Sequence, residues 1–540
     1  MSLRSTCVYS LALGSVAQVC FAQASFRPLA MSDQPAPGLP GVVLEYVSDP
    51  KVTPDGHGAF FARLAGDGVT LDNAEAILTD RSGLLALAWR SGQPAPGTAG
   101  TLGGFVSYAL TPSGHLAFTA PIIESVAVVT PMGYFVETAP GVLALLTRET
   151  GTFIAPALPG LVPVNPEGHV AWAVDTFVET TQGLRVDTTT PVPGAADPFR
   201  RFSQPALGSA GEVVFRAFHG TTTNGTDWRA GIFRASSSGL TVLARTGEPA
   251  PGFPAGVTYA DLSGTPIISD SHGVYAWARV QGPFITNAND TGLFREASGA
   301  LLPVVMSGDP VPGLDGVTFG AISKRFSVTP SGGVAFLAQL ANAPAESNAG
   351  IFVAEPTSPV RMIVRTGQRL FSMPAGSYLT SLGEPRVGPE GHLLFTATSR
   401  AGGTSGTVLC GGDTVASPTA LVRSGAPFYV PGVGMKQVRH VQFDHESELA
   451  GHSQFAGRSF AVTLMFEDRT HGIFIGDFTC TNDFDGDGDS GTDADIEAFF
   501  ACLAGSCCET CASADFDGDG DTGTEADIEA FFRVLAGHPC

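Results

Sequence analysis

One short motif recurs through most of the chain and limits the folds that it can adopt. Its clearest copy, at residues 111–118, reads TPSGHLAF, with an aromatic side chain four residues after the glycine. The equivalent glycines are Gly56, Gly114, Gly168, Gly211, Gly273, Gly332, Gly391 and, in a weaker copy, Gly451. Their spacings of 58, 54, 43, 62, 59, 59 and 60 residues indicate an array of similar units.

The motif is typical of a tight turn that leads into a strand. Glycine adopts the positive φ values that such turns need, and the alternating apolar residues that follow require one buried face. Two further segments recur in step with it: an Ala-Gly-Ile-Phe type strand, as at 230–233, and an apolar strand ending in Pro-Gly, as at 240–252. With a fourth strand before the next motif, the sequence predicts an all-β fold, a β-propeller of four-stranded blades.

The two ends of the repeat region predict how the ring closes. The last unit stops at Asp477 without its final strand, whereas residues 26–38 parallel residues 301–313, which form the final strand of another unit. We therefore expect the N-terminal strand to complete the last blade, because an open ring leaves unpaired strand edges. The unit from Gly168 to Gly194 is short and is either a reduced blade or an insertion. Eight blades are expected, with seven as the alternative.

Composition and charge divide the 540 residues into three regions. Residues 1–24 have the features of a signal peptide, with Arg4, an apolar run and the small-x-small ending Ala22-Gln23-Ala24. No later run reaches the roughly 18 apolar residues of a membrane span. Residues 25–477 hold the propeller repeats and residues 478–540 form a separate tail. We expect an exported protein, extracellular or at the cell surface.

Motifs for catalysis are scarce in the repeat region. His445-Glu446 lacks the second histidine of a zinc-peptidase helix, and no nucleophile elbow or phosphate loop is present. His57, His115, His169 and His392 recur at one position of the repeat, which indicates one shared packing or hydrogen-bonding role rather than metal binding. The loops 220–228 and 281–290 are polar; they either form a binding face or are plain solvated loops.

The tail contains one module written twice, 32 residues apart, at 483–500 and 515–532. Of the net charge of −22, residues 481–540 contribute 15 acidic side chains and one basic one, which argues against nucleic-acid binding. Acids at positions 1, 3 and 5 of each loop, with glycine at position 6, predict two Ca²⁺ sites. The predicted ligands are Asp483, Asp485, Asp487, Asp489 and Asp495 in the first loop, and Asp515, Asp517, Asp519, Asp521 and Asp527 in the second.

The last ligand of each loop is open, because position 12 holds Ala494 or Ala526 where a calcium loop normally has glutamate. Asp495 and Asp527 complete the shells if each loop is one residue longer; alternatively, Asp493 and Glu525 do so. Asp495 and Asp527 also fit a helix-capping role three residues after a threonine.

Each loop leads into a predicted short helix with an apolar face. These faces comprise Ile496, Phe499, Phe500 and Leu503 in the first helix, and Ile528, Phe531, Phe532 and Leu535 in the second. The cysteines of the tail are Cys480, Cys502, Cys507, Cys508, Cys511 and Cys540. They predict disulfide bridges in unknown pairing, with a zinc site at Cys508 and Cys511 as the alternative, whereas Cys410 stands alone.

The tail resembles a dockerin, in particular a cysteine-rich variant with GDGDxGTxADIEAFF in each half, found here at 486–500 and 518–532. The resemblance covers roughly sixty residues. It implies calcium-dependent attachment to a cohesin-like protein or another cell-surface partner.

Two functions are compatible with these features. The first is an exported, non-catalytic propeller that binds or scaffolds other molecules, including a glycan or protein at its face, and is held in place by the tail. The second is a carbohydrate-active enzyme, a glycoside hydrolase or polysaccharide lyase with its site at the propeller channel. Two carboxyl groups about 5 to 9 Å apart at the channel mouth would favour the enzyme.

Overall fold

The computed structural model describes residues 23–124, 130–149, 165, 169–370, 373–413, 418–443, 454–479, 484–485, 491–506 and 523–536. Within these residues the strands form eight antiparallel sheets that follow one another along the chain. Each sheet is an antiparallel meander, except that in four of them two successive strand segments pair with the same neighbouring strand. The chain is an eight-bladed all-β propeller, and the predicted blade number of eight is confirmed.

The first four blades comprise residues 42–245. Blade 1 contains β2 Val42–Val52, β3 Gly58–Gly66, β4 Glu75–Thr79 and β5 Ala86–Arg90. Blade 2 contains β6 Thr101–Leu102, β7 Ser107–Leu110, β8 Leu116–Ile123, β9 Met132–Ala139 and β10 Val142–Glu149. Blade 3 contains β11 Ala171–Val174, β12 Phe177–Thr180 and β13 Arg185–Asp187. Blade 4 contains β14 Phe199–Leu207, β15 Val213–His219, β16 Arg229–Ser236 and β17 Gly239–Arg245.

The remaining blades comprise residues 258–479 and one N-terminal strand. Blade 5 contains β18 Thr258–Asp261, β19 Ile267–Ser269, β20 Gly273–Gln281, β21 Thr291–Ala297 and β22 Ala300–Met306. Blade 6 contains β23 Thr318–Val328, β24 Val334–Ala341, β25 Ala349–Ala354 and β26 Arg361–Arg365. Blade 7 contains β27 Tyr378–Leu382, β28 Arg386–Val387, β29 His392–Ala401, β30 Thr404–Asp413 and β31 Thr419–Arg423. Blade 8 contains β32 Pro427–Val430, β33 Gly434–Gln442, β34 Phe455–Ala456, β35 Ser459–Phe466, β36 His471–Thr479 and β1 Gln23–Met31.

Blade 3 corresponds to the unit with the short sequence spacing. Its described part has three strands of three or four residues, and it forms a sheet of its own rather than an insertion in a neighbour. Residues 150–164 and 166–168, which precede these strands, lie outside the described residues, so the prediction of four strands is not tested for this unit.

Ring closure follows the predicted parallel between the N-terminal segment and β22. β1 pairs with β36 along its length, from Gln23 opposite Thr479 to Met31 opposite Gly472. Pro28 lies opposite Phe474 as Pro303 lies opposite Phe294, and the register shifts next to both pairs. Because β36 gains a partner on its open side, the ring closes without an unpaired edge at this point.

The repeated glycine motif forms the turn between the first and second strands of a blade. Gly114 has a φ of +79°, its N–H donates to the Thr111 carbonyl at 2.9 Å, and the Thr111 N–H donates to the His115 carbonyl at 2.8 Å. A left-handed backbone at this point favours glycine. The aromatic residue four positions after the motif glycine is buried in each blade where it is phenylalanine: Phe60, Phe118, Phe215, Phe336, Phe395 and Phe455.

The hydrophobic core lies largely between adjacent blades. One cluster joins Leu44 and Phe60 of blade 1 to Ile473 of blade 8, and another joins Ile351 of blade 6 to Phe395 of blade 7. Burying a phenylalanine contributes roughly 1.5–3 kcal/mol, so each blade is stabilised mainly by its neighbours. This arrangement explains why a closed ring is favoured over isolated sheets.

The described part of the tail contains helices α1 Asp493–Leu503 and α2 Glu525–Leu535. Both were predicted from the loop-helix repeat. Neither described helix is long or apolar enough to cross a lipid bilayer.

Candidate functional site

The first candidate site is the duplicated acidic loop of the tail. Of the predicted calcium ligands, the structure describes Asp485, Asp495 and Asp527. The others lie outside the described residues, namely Asp483, Asp487, Asp489, Asp515, Asp517, Asp519 and Asp521. The same holds for Cys480, Cys507, Cys508, Cys511 and Cys540. The calcium sites and the disulfide bridges therefore stay predictions.

Asp495 connects the start of its loop to the start of helix α1. Its Oδ1 accepts hydrogen bonds from the N–H groups of Phe484 at 2.5 Å and Asp485 at 3.2 Å. Its Oδ2 accepts from the Thr492 N–H at 2.7 Å and hydroxyl at 2.9 Å. Burial raises the pKa of this carboxyl and the hydrogen bonds lower it, with a lowered pKa as the net result. The four donors match the four lone-pair positions of a carboxylate.

Asp495 therefore has the helix-capping role that was the alternative to calcium binding in the sequence analysis. Thr492 and Asp495 form a reciprocal capping box. Asp527 repeats the arrangement in the second module, where its Oδ2 accepts from the Thr524 N–H at 2.7 Å and hydroxyl at 3.0 Å. Both carboxylates are fully buried. Asp493, by contrast, is an exposed residue at the start of α1.

The two helices of the tail share a small aromatic core. The rings of Phe499 and Phe531 stack with their centroids 4.0 Å apart, and Phe484 lies edge-on to Phe499 at 5.2 Å. Phe500 and Phe532 were predicted to lie on the buried faces, but they are 42% and 44% exposed. Successive residues of a helix point about 100° apart, which places these two rings at the edge of the core, where each still contacts the phenylalanine before it.

The four repeated histidines share a backbone role but not a side-chain role. Their carbonyls accept a hydrogen bond from the first residue of the turn in every case. The rings differ, since His57 lies 3.7 Å from Asp80, His169 lies 3.1 Å from the Gln182 amide, and His392 stacks on Phe478. The prediction of one shared role thus holds for the backbone alone. His445 and Glu446 lie outside the described residues.

The two polar loops, 220–228 and 281–290, are ordered by their own side chains. In the first loop, hydrogen bonds from Thr221 and Thr222 hold the pKa of Asp227 well below its usual range. In the second loop, Asn289 accepts from the Thr286 N–H at 2.6 Å and donates to the Phe284 carbonyl at 3.1 Å. Phe284 is 88% exposed and has a φ of +66°. Both loops connect a second strand to a third, so they lie on the same side of blades 4 and 5.

Arginine side chains cross several blade interfaces on the opposite side, where the glycine turns lie. Arg81 of blade 1 donates to the Gly114 carbonyl of blade 2 at 3.1 Å and forms an ion pair with the buried Glu137. Arg27 contacts Gly56 and Asp80 in the same way. Sequence reasoning missed these contacts. Arg81 and Glu137 are 56 residues apart, so a basic and an acidic residue about one repeat apart would have been the signal.

A pocket of about 840 Å³ lies on this turn side, and we call it the turn-side pocket. It is formed by the turns of blades 3, 4 and 5. Its polar lining includes Gln182, Glu212, Arg234, Asp270 and Glu296. Sequence reasoning missed it because its residues come from three blades, and no local motif shows that they lie together. Among the described residues, no group of three or more His, Cys, Asp or Glu side chains is placed to hold a metal ion.

Solved structures that resemble the chain share little sequence with it. The eukaryotic initiation factor is 12% identical, covers 75% of this chain and 96% of its own, and gives a TM-score of 0.37. The WD40 domain of SCAP from fission yeast is 9% identical, covers 84% of this chain and 98% of its own, and gives 0.35. The periplasmic gluconolactonase of Pseudomonas aeruginosa is 14% identical, covers 69% and 87%, and gives 0.23.

A comparison with protein-family models gives a more direct relationship. None of the curated proteins matches this chain in sequence. The model of a family of unknown function, DUF7453, matches twice in succession, over residues 14–165 and 158–376. These two matches cover β1 and blades 1 to 6, which is more than half of the chain. The chain therefore belongs to the DUF7453 family.

Proposed function

We propose that this protein is an exported, non-catalytic β-propeller that binds or scaffolds other molecules. A dockerin-like tail attaches it, in the presence of calcium, to a cohesin-like protein or another partner at the cell surface. The observation that carries the proposal is the duplicated acidic loop, in which Asp495 and Asp527 cap the two helices. The export signal and the tail's disulfide bridges belong to the same proposal.

The capping geometry supports a specific version of each calcium loop. Because Asp495 accepts four hydrogen bonds, it organises the loop rather than contacting the ion directly. Asp493 and, in the second loop, Glu525 remain as the candidates to complete the shells, together with the acids at positions 1, 3 and 5. Without a cation, so many carboxylates within one loop repel each other. Calcium would relieve this repulsion and allow the aromatic core between the helices to form.

A calcium titration of the mature chain tests the attachment module. Isothermal titration calorimetry is expected to give two ions per chain, and Asp485→Asn is expected to abolish one of them. The control is Asp315→Asn, an exposed aspartate far along the sequence from the tail, which should leave both sites. Absence of calcium binding, or equal loss in both variants, would contradict the module. Turnover of a polysaccharide by the purified chain would instead contradict the non-catalytic assignment.

A further inference from the structure

We propose that the turn-side pocket binds an organic cation, a ligand that carries a guanidinium or a primary ammonium group. This inference rests on the binding role proposed for the propeller and narrows it to one class of ligand. It is independent of the calcium tail.

The pocket has two carboxylates more than its internal cation can neutralise. Arg234 forms a bidentate ion pair with Glu296. The Arg234 side chain is 28% exposed and the Glu296 side chain is 11% exposed. Glu212 and Asp270 have no ion-pair partner among the described side chains. Asp270 accepts one hydrogen bond through Oδ1, from the Ser209 N–H at 2.8 Å. The lining as a whole therefore attracts cations and repels anions.

One carboxylate oxygen of Glu212 lacks a hydrogen-bond donor among the described residues. This oxygen, Oε2, is buried. A buried carboxylate oxygen without a donor costs free energy, on the order of 1–3 kcal/mol or more for a charged group. A donor supplied by a ligand would remove this cost.

On the turn side, the interface between blades 3 and 4 has a glutamine where the interface between blades 1 and 2 has an arginine. Arg81 lies against Gly114, the turn glycine of the next blade, and Gln182 lies against Gly211 in the corresponding way. Arg81 supplies a guanidinium to the carboxylate of Glu137, whereas Gln182 is neutral. The pocket thus contains the unpaired carboxylate oxygen of Glu212 and has no arginine at the position that corresponds to Arg81. A guanidinium or ammonium group from a ligand fits this environment.

Other ligand classes fit less well. The absence of a group of three metal-ligating side chains among the described residues disfavours a metal ion here. The side chains that line the pocket include no aromatic ring, so a saccharide would gain no stacking contact. An anion would meet three carboxylates and one arginine whose two terminal nitrogens already bond to Glu296. A cation with several N–H donors matches both the charge and the unpaired oxygen.

The test is calorimetric titration of the mature full chain, with calcium in excess so that the tail is saturated. The probes are an end-blocked Gly-Arg-Gly peptide, its citrulline counterpart, in which an uncharged ureido group replaces the guanidinium, and spermidine. We expect saturable binding of the arginine peptide, and binding of the citrulline peptide weaker by about tenfold or more. Spermidine separates the two cation chemistries: if it binds as well, an ammonium is accepted, and if it does not, the site is specific for guanidinium.

Three variants locate the binding. Glu212→Gln should weaken it about tenfold by removing the charge while keeping the shape. Gln182→Arg should abolish it, because the new side chain would supply an internal guanidinium at an exposed position that tolerates the change. Glu346→Gln, at an exposed residue of another blade, should bind like the wild type. Thermal unfolding of each variant confirms that it is folded.

The proposal is overturned if neither cation binds at millimolar concentration, or if the citrulline peptide binds as tightly as the arginine peptide. It is also overturned if Glu346→Gln loses as much affinity as Glu212→Gln. Loss of calcium binding by the tail would leave these outcomes unchanged, so failure of the attachment module can be told apart from failure of this inference.

Discussion

The propeller and the tail differ in the size of the hydrophobic core that stabilises them. The propeller buries phenylalanines between adjacent blades and closes its ring with β1, so its stabilising contacts are internal. The described part of the tail has a core of a few residues around Phe484, Phe499 and Phe531, and its sequence concentrates negative charge in two loops. A core of this size contributes little stability. The propeller thus has an extensive internal core, whereas we propose that the tail depends on a cation.

Removing β1 is the change with the largest expected effect on the propeller. A chain that begins after Met31 exposes the open side of β36 and removes the contacts of Phe26 with Phe428 and Phe460. We expect loss of cooperative unfolding and aggregation through the exposed edge, measured by thermal melting and light scattering. A chain shortened by the same number of residues at its C-terminus should keep a folded propeller. Normal melting of the chain without β1 would contradict the closure.

Breaking an arginine contact between blades should have the next largest effect. Arg81→Ala leaves Glu137 buried without its cation, although the Trp89 ring N–H and the Leu116 N–H still donate to it. We expect a loss of about 3 kcal/mol in the free energy of unfolding, measured by urea denaturation. The matched control is Arg63→Ala, which breaks an exposed pair with Glu45 and should cost less than about 1 kcal/mol. Equal losses would show that the interface contact has no special role.

Removing a helix cap should affect the tail but not the propeller. Thr492→Ala deletes the hydroxyl that bonds to Asp495 at the start of α1, which should cost about 1 kcal/mol of local stability. Calcium affinity should fall, since the proposed site requires the ordered loop. The readouts are calcium titration and the melting temperature of the propeller, which should not move. A shift in propeller melting would mean that the two regions are coupled.

The smallest expected effect concerns the pH dependence of the propeller. His219 is 1% exposed, and burial and then Arg245 lower its pKa, although Asp197 lies 3.5 Å away. Because the folded protein binds this proton less well than the unfolded chain, stability is full above about pH 6.5 and falls as the pH drops below it. The slope from one such group is at most about 1.4 kcal/mol per pH unit. His219→Gln should flatten it in melts between pH 5 and 8; an unchanged slope would contradict the assignment.

The regular part of the fold could be predicted from the sequence because short, local sequence motifs determine it. The turn glycine and the buried aromatic residue after it lie within one short motif. The similarity of residues 26–38 to residues 301–313 likewise concerns segments of only about a dozen residues each. The contacts between blades could not be predicted in this way. Arg234 and Glu296 are 62 residues apart, and no local motif marks either one. The turn-side pocket was missed for the same reason, since three blades contribute to it.

The tail shows where local motifs leave a choice open. A threonine three residues before Asp495 predicts a cap, and the acidic loop around it predicts a ligand. The two roles compete for the same oxygens, and the bonds from Phe484 and Asp485, ten or eleven residues earlier, favour the cap. Such contacts depend on how the loop folds back onto the helix, which the spacing of acids does not specify.

The most direct test of the contrast between the two regions is hydrogen exchange of the full chain, followed by mass spectrometry, with calcium and with a chelator. We predict that peptides from α1 and α2 are protected with calcium and exchange freely after chelation. Peptides from β1 and β36 should be protected equally in both conditions. Protection of α1 and α2 that does not change on chelation would contradict the account of a metal-dependent tail on a self-sufficient propeller.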